Sequence, residues 1–159
     1  MSETWDRAKS LEEIRRIVLA YPEMIDRGNI DGVAKLFDGA KMCTMDDSGE
    51  NVPTLSADDV RRMYAGVILY DDGLPHTKHV ITNIDIQFSD DGQAAISRSH
   101  YSVLQGLPDF PLQVIITGRY EDTFGFDGEA WKLRVRREAA DIVGNLSRHV
   151  KPELLAQIH

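Results

Sequence analysis

Apolar residues at Leu11, Ile14, Val18, Tyr21 and Ile25 recur at spacings of three and four, the period of one helix face. The pattern predicts a helix opening at Ser10. Ser10-Leu11-Glu12-Glu13 has the form of a capping box, a hydroxyl for the N3 amide and a Glu that can reach back. Residues 1–9 are then expected to be a flexible leader to that helix. Pro22 lacks the N–H that would bond the Val18 carbonyl, so a kink or an early end is expected there. Gly28 and Asn29 read as the terminator. Ile30, Val33, Ala34 and Phe37 share one side of a short second helix. Ser56 opens a third, SADDVRRMYAGVILY, with two aspartates in the first turn, where the helix dipole favours them.

The period then changes. Lys78 to Phe88, Gln93 to Gln105, Leu112 to Phe124 and Trp131 to Val143 are rich in Val, Ile, Thr, Tyr and Arg and read as strands. Asp90-Asp91-Gly92, Gly106-Leu107-Pro108 and Asp127-Gly128 separate them as turn signals. Short turns between successive strands imply antiparallel pairing. A short extra strand is expected near Lys41 to Met45. Helices first and a long meander second is an α+β fold, with three N-terminal helices on a strongly curved, mainly antiparallel sheet that encloses a pocket.

Composition narrows the partners. The chain has 159 residues, 42% hydrophobic and 28% charged, the balance of one globular domain. At this length about two-thirds of the unfolded surface is buried on folding. Eighteen Lys and Arg against 26 Asp and Glu give a net charge of −8, which repels phosphate backbones and argues against nucleic acid. Cys43 is the single cysteine, so an intramolecular disulfide and a cysteine metal cluster are excluded. The polar start MSETWDRAKS has no signal core, and the longest apolar run, Ala65 to Tyr70, falls short of the ~20 residues of a membrane helix. A cytoplasmic protein without membrane contact is expected.

Four segments together resemble the SnoaL-like branch of the NTF2-like superfamily, a cone-shaped α+β fold. They are Tyr21-Pro22-Glu23-Met24-Ile25-Asp26-Arg27-Gly28-Asn29, His76-Thr77-Lys78-His79-Val80-Ile81-Thr82-Asn83, Gly118-Arg119-Tyr120-Glu121-Asp122, and Trp131-Lys132-Leu133 running on to Arg136-Arg137. Their order and spacing cover nearly the whole chain. The resemblance implies a pocket inside the cone, used by dehydratases, dehydrochlorinases, isomerases and polyketide cyclases, and also by non-catalytic binding domains. It implies no cofactor and a homodimer or homotrimer. The tail Asp141-Ile142-Val143-Gly144-Asn145-Leu146-Ser147 resembles the end of dioxygenase β subunits, which act as structural partners.

The resemblance also points to residues. Lyases of this kind set an aspartate at the end of the first helix against a histidine on the first long strand, and Asp26 and His79 match those places. A neutral imidazole, with an unperturbed pKa of about 6.5, suits proton abstraction from carbon. A carboxylate on its other nitrogen fixes the tautomer. The plainer alternative is a helix-ending aspartate and a satisfied strand histidine. Tyr21 is placed to donate a hydrogen bond to a leaving oxygen; dehydratase-like members carry a tyrosine at the matching place and the dehydrochlorinase a lysine. The alternative is a core aromatic. Tyr64, Asn83, His100, Arg119 and Arg137 are the substrate-binding candidates.

Parity complicates two strands. Val80, Ile84, Ile86 and Phe88 alternate against His79, Ile81 and Asn83, so a pocket-facing His79 requires either a bulge that re-aims side chains or a pocket face that is polar at this end. Lys132, Arg134 and Arg136 share one face, expected to be solvated. Arg137 shares parity with Trp131 and Leu133 and is expected to point inward, where a guanidinium needs a carboxylate or an anionic substrate group. His76-x-x-His79 has no third partner at ligand spacing, so no metal is expected. The expected ligand is a hydrophobic, oxygenated small molecule.

Overall fold

The computed structural model describes residues 6–155. The elements run α1 (Arg7–Asp26), α2 (Ile30–Phe37), β1 (Lys41–Thr44), α3 (Ala57–Tyr64), β2 (Thr77–Phe88), β3 (Ala94–Leu107), β4 (Phe110–Phe126), β5 (Trp131–Val143) and α4 (Pro152–Leu155). The sheet order is β1-β5-β4-β3-β2. The four long strands form an antiparallel meander, and β1 adds parallel to β5. The architecture is the expected α+β arrangement, with α1 packed against β2 and β5 and α2 against α1 and α3.

The first helix departs from expectation at both ends. It begins at Arg7, because Asp6 and not Ser10 is the N-cap; the Asp6 carboxylate accepts from Ala8 N at 3.0 Å and Lys9 N at 3.1 Å. Ser10 is buried inside the helix. Of the expected flexible leader, residues 7–9 are therefore helical, and residues 1–5 lie outside the described residues. Pro22 neither ends the helix nor breaks its assignment, and α1 runs on to Asp26. Its ring removes one hydrogen bond at a cost of about 3 kcal/mol. Ile14, Val18, Tyr21, Pro22 and Ile25 form one buried stripe, and that packing outweighs the lost bond.

Gly28 ends α1 as expected. It has φ +66°, and Gly28 N and Asn29 N donate to Ile25 O and Met24 O. A Cβ there would stand 2.1 Å from Gly73 O, so glycine is needed both for the left-handed turn and for the close approach. Asn29 then caps α2 by accepting from Gly32 N at 2.9 Å. In α3 the reciprocal capping box forms at Ser56 and Asp59. That helix stops at Tyr64, six residues before the expected Tyr70.

Slips in the strand ladders set which side chains face the helices. In β2 the ladder slips between Thr82 and Asp85, and Asn83 takes φ 54°. His79 and Ile81 are shielded before the slip, and Ile84, Ile86 and Phe88 after it. In β5, Val135 pairs with Thr123 and Leu133 with Phe124, so Arg134 is the extra residue. Parity inverts beyond it. Trp131 and Leu133 point inward, and then so does Arg136. A further slip, at Asp141, separates Ile142 from Ala140 in the pairing with β4.

Candidate functional site

The end of α1 and the start of β2 are tied together by Asp26. Its Oδ1 lies 2.6 Å from His79 Nδ1 and accepts from Thr77 Oγ1 at 2.8 Å, while Oδ2 accepts from His79 N at 2.8 Å. Both side chains are largely shielded, 14% exposed for Asp26 and 5% for His79. Burial works against the Asp26 charge, but the hydrogen bonds and charge of His79 and the bond from Thr77 prevail and hold its carboxyl below the usual range. An ionised carboxylate only accepts, so the proton sits on Nδ1 of His79 and Nε2 is left as the basic nitrogen. No described residue bonds that nitrogen.

An aromatic wall adjoins the dyad. Tyr21 meets His79 edge-on at 5.9 Å between ring centres and also touches Phe37, Tyr64 and Tyr120. The Tyr64 hydroxyl donates to the Tyr21 oxygen at 3.2 Å. Burial, aided by the Glu138 charge, pushes Tyr21 up, and burial also pushes Tyr64, Tyr101 and Tyr120 up. All four phenols therefore keep their protons and are able to donate. Tyr101 stacks on Tyr120 at 4.4 Å and donates to Glu138 Oε1 at 2.8 Å. Gly118 makes room for it: a Cβ there would meet the Tyr101 oxygen at 2.5 Å.

Behind this wall lies a buried ion pair. Arg136 donates from Nε and Nη2 to the two oxygens of Asp122 at 2.8 and 2.7 Å. Its guanidinium lies 4.1 Å from the Tyr120 ring centre, 4.9 Å from Tyr21 and 5.1 Å from Phe37. Burial opposes its charge, but Asp122 holds the proton on firmly. A cleft of about 770 Å³ is bounded by Met42, Met63, Tyr64, Val67, Glu138 and Lys151. It shares Tyr64 and Glu138 with the aromatic wall, and its volume is in the range of small-molecule pockets.

The structure brings Asp26, His79, Tyr21 and Tyr64 together and leaves four other candidates elsewhere. Asn83 is exposed, because it is the bulge residue that changes parity. His100 is exposed on the opposite face of β3 from buried Tyr101. Arg119 is on that outer face too, bonded to Asp141. Arg137 does not point inward. The bulge at Arg134 gives that orientation to Arg136, correcting the expectation of a solvated Arg136. Arg137 instead donates to Asp47 O and Ser48 O and latches the loop after β1. His76 is exposed and pairs with Asp72 at 3.0 Å. Among the described residues no three His, Cys, Asp or Glu side chains stand close enough to hold a metal ion.

Sequence reasoning missed Tyr101, Tyr120, Arg136 and Glu138. Tyr101 and Tyr120 carry a legible signal, an inward parity on neighbouring strands. Arg136 and Glu138 do not, since a one-residue slip decides their face.

Solved structures share this architecture. An NTF2-like protein with a cystatin-like fold from Novosphingobium aromaticivorans matches at 14% identity with a TM-score of 0.66, over 84% of this chain and 82% of that one. A protein assigned as a scytalone dehydratase from the same organism matches at 20% identity and TM-score 0.64, over 91% and 93%. LinA matches at 16% and 0.64, over 92% and 96%. At these identities the likeness shows the fold, the NTF2-like or cystatin-like cone. The profile of the SnoaL-like domain matches residues 6–137, and the chain belongs to that family. A search among curated proteins finds no match.

Proposed function

We propose that the chain is a cofactor-independent lyase or isomerase, dehydratase-like, acting on a hydrophobic oxygenated small molecule. The observation that carries this reading is the shielded Asp26–His79 contact of 2.6 Å with Nε2 of His79 left unbonded. His79 takes a proton from substrate carbon on Nε2, and Asp26 orients the ring and stabilises the imidazolium. The C–H electron pair becomes the new double bond as the C–O bond breaks. The leaving hydroxyl takes a proton back from the imidazolium and departs as water. Tyr21, kept neutral by burial, donates a hydrogen bond to that oxygen. Structures assigned as dehydratases among the fold relatives lend support.

A second reading is favoured by the other bonds of Asp26. Two of its three contacts, to Thr77 Oγ1 and His79 N, fasten β2 to α1 and suit a non-catalytic ligand-binding or subunit-assembly module. A screen of alcohol and halide substrates separates the readings. His79→Ala is expected to lower turnover by about 10²- to 10⁴-fold. Equal turnover in the two proteins would leave the module. A homodimer or homotrimer belongs to either reading, and sedimentation measures it.

A further inference from the structure

His149 lies beyond the segment matched by the family profile, yet its ring stands 6.4 Å from that of His79. The main chain around it is firmly held. Ile68 N donates to His149 O and His149 N to Leu146 O, at 2.8 and 2.9 Å. Arg148 O accepts from Tyr70 Oη at 2.7 Å and from Gln105 Nε2 at 2.9 Å. Val150 bridges to Val67, and Lys151 N donates to Gly66 O. The last segment is thus strapped over the α3–β2 connection with this imidazole turned toward the dyad.

The ring itself is not held. Nδ1 is buried without a partner, and no described residue bonds either ring nitrogen. Buried polar groups are normally paired, and an orphaned one calls for a ligand or solvent. The contrast with His79 is instructive. That ring is fixed by Asp26 on one nitrogen, whereas no hydrogen bond fixes the orientation of the His149 ring. Burial, with the His79 charge, pushes His149 down to about 4, so at neutral pH it offers one N–H donor and one lone pair.

We propose that His149 is a second imidazole of the site and hydrogen-bonds an oxygen of the bound molecule beside His79. This rests on the small-molecule reading above and sharpens it. The ligand carries a hydroxyl or carbonyl within reach of both rings, and oxygen-bearing ligands are selected over their hydrocarbon counterparts.

The test compares 2-naphthol with naphthalene by fluorescence titration of the full chain. Wild type is expected to prefer 2-naphthol about tenfold, the worth of one well-placed hydrogen bond. His149→Phe keeps the ring volume and is expected to erase the preference, and His149→Gln to retain most of it. The His149 Cε1–H signal in NMR is expected to move with 2-naphthol and not with naphthalene. An unchanged preference in His149→Phe, a still His149 signal, or no binding of either probe at millimolar concentration would overturn the proposal. Thermal melts show whether each variant is folded, and NMR on wild type decides the matter where His149→Phe is not. The outcome is separable from that of His79→Ala, which reads turnover: equal turnover in His79→Ala overturns the catalytic reading alone, and an unchanged naphthol preference in His149→Phe overturns the His149 proposal alone.

Discussion

Two arginine–aspartate pairs join β4 to β5 on opposite faces of the same sheet. Arg136 and Asp122 are 3% and 1% exposed, bonded through two nitrogens and enclosed by Tyr120, Tyr21 and Phe37. Arg119 and Asp141 are 48% and 37% exposed, with contacts of 3.0 and 3.1 Å. The chemistry is alike and the surroundings differ. Water screens the outer pair and replaces either partner when one is lost. Inside, each charge depends on the other, because desolvation leaves no substitute. The inner face therefore fixes one arrangement of Tyr21 and Tyr120 around the guanidinium, and through Tyr21 the wall beside His79. The outer face sets none of this.

The sharpest way to break the contrast is to remove one acid from each pair. Asp122→Ala leaves Arg136 charged and unpaired in an aromatic enclosure, and urea unfolding is expected to show a loss of about 3–5 kcal/mol. A smaller effect comes from pH. His149, facing His79 and Asp26, is pushed down to about 4. The unfolded chain binds its proton near pH 6.5 and the folded chain does not, so stability falls as pH drops from about 6.5 to 4, by about 3 kcal/mol in all. Asp26 acts in the same direction at lower pH: its lowered pKa keeps its contribution intact above about pH 4 and surrenders it as pH falls through the folded value. Urea midpoints measured across pH are expected to lose the upper part of this slope in His149→Phe. The smallest effect is outside. Asp141→Ala is expected to cost less than about 1 kcal/mol, and less still in high salt. Equal losses for Asp122→Ala and Asp141→Ala would abolish the distinction between the faces.

Much of this arrangement was legible in the order of residues. The apolar stripe from Ile14 to Ile25, the Gly28 turn and α2 from Ile30 to Phe37 follow from helix period and capping chemistry. The four long strands follow from β-rich runs between turns. The opposite parity of His79 and Ile84 was readable too, and left a bulge or a polar pocket face as the two ways to bring His79 inward; the slip beyond Thr82 decides for the bulge. The start of α1 was misplaced because Asp6 and Ser10 both offer capping oxygens, and only the packing of Ser10 inside the stripe chooses between them. Pro22 misled because local propensity does not weigh the buried face it belongs to. The face of Arg136 was hidden by the slip at Arg134. Strand period counts residues, and a ladder that skips one can be seen only with its partner strand beside it.

The bulge at Asn83 has a consequence outside the molecule's own interior. β2 is an outer strand of the sheet, twelve residues long. A flat strand of that length would present a row of amide and carbonyl groups to any extended chain that drifted alongside. The left-handed backbone at Asn83 breaks that row near its middle, and Lys78 and Asp85 stand exposed on either side of it. The residue that turns Ile84 and Phe88 toward the helices thus also spoils the template on which a foreign strand would grow, and guards the protein in crowded solution against edge-to-edge aggregation.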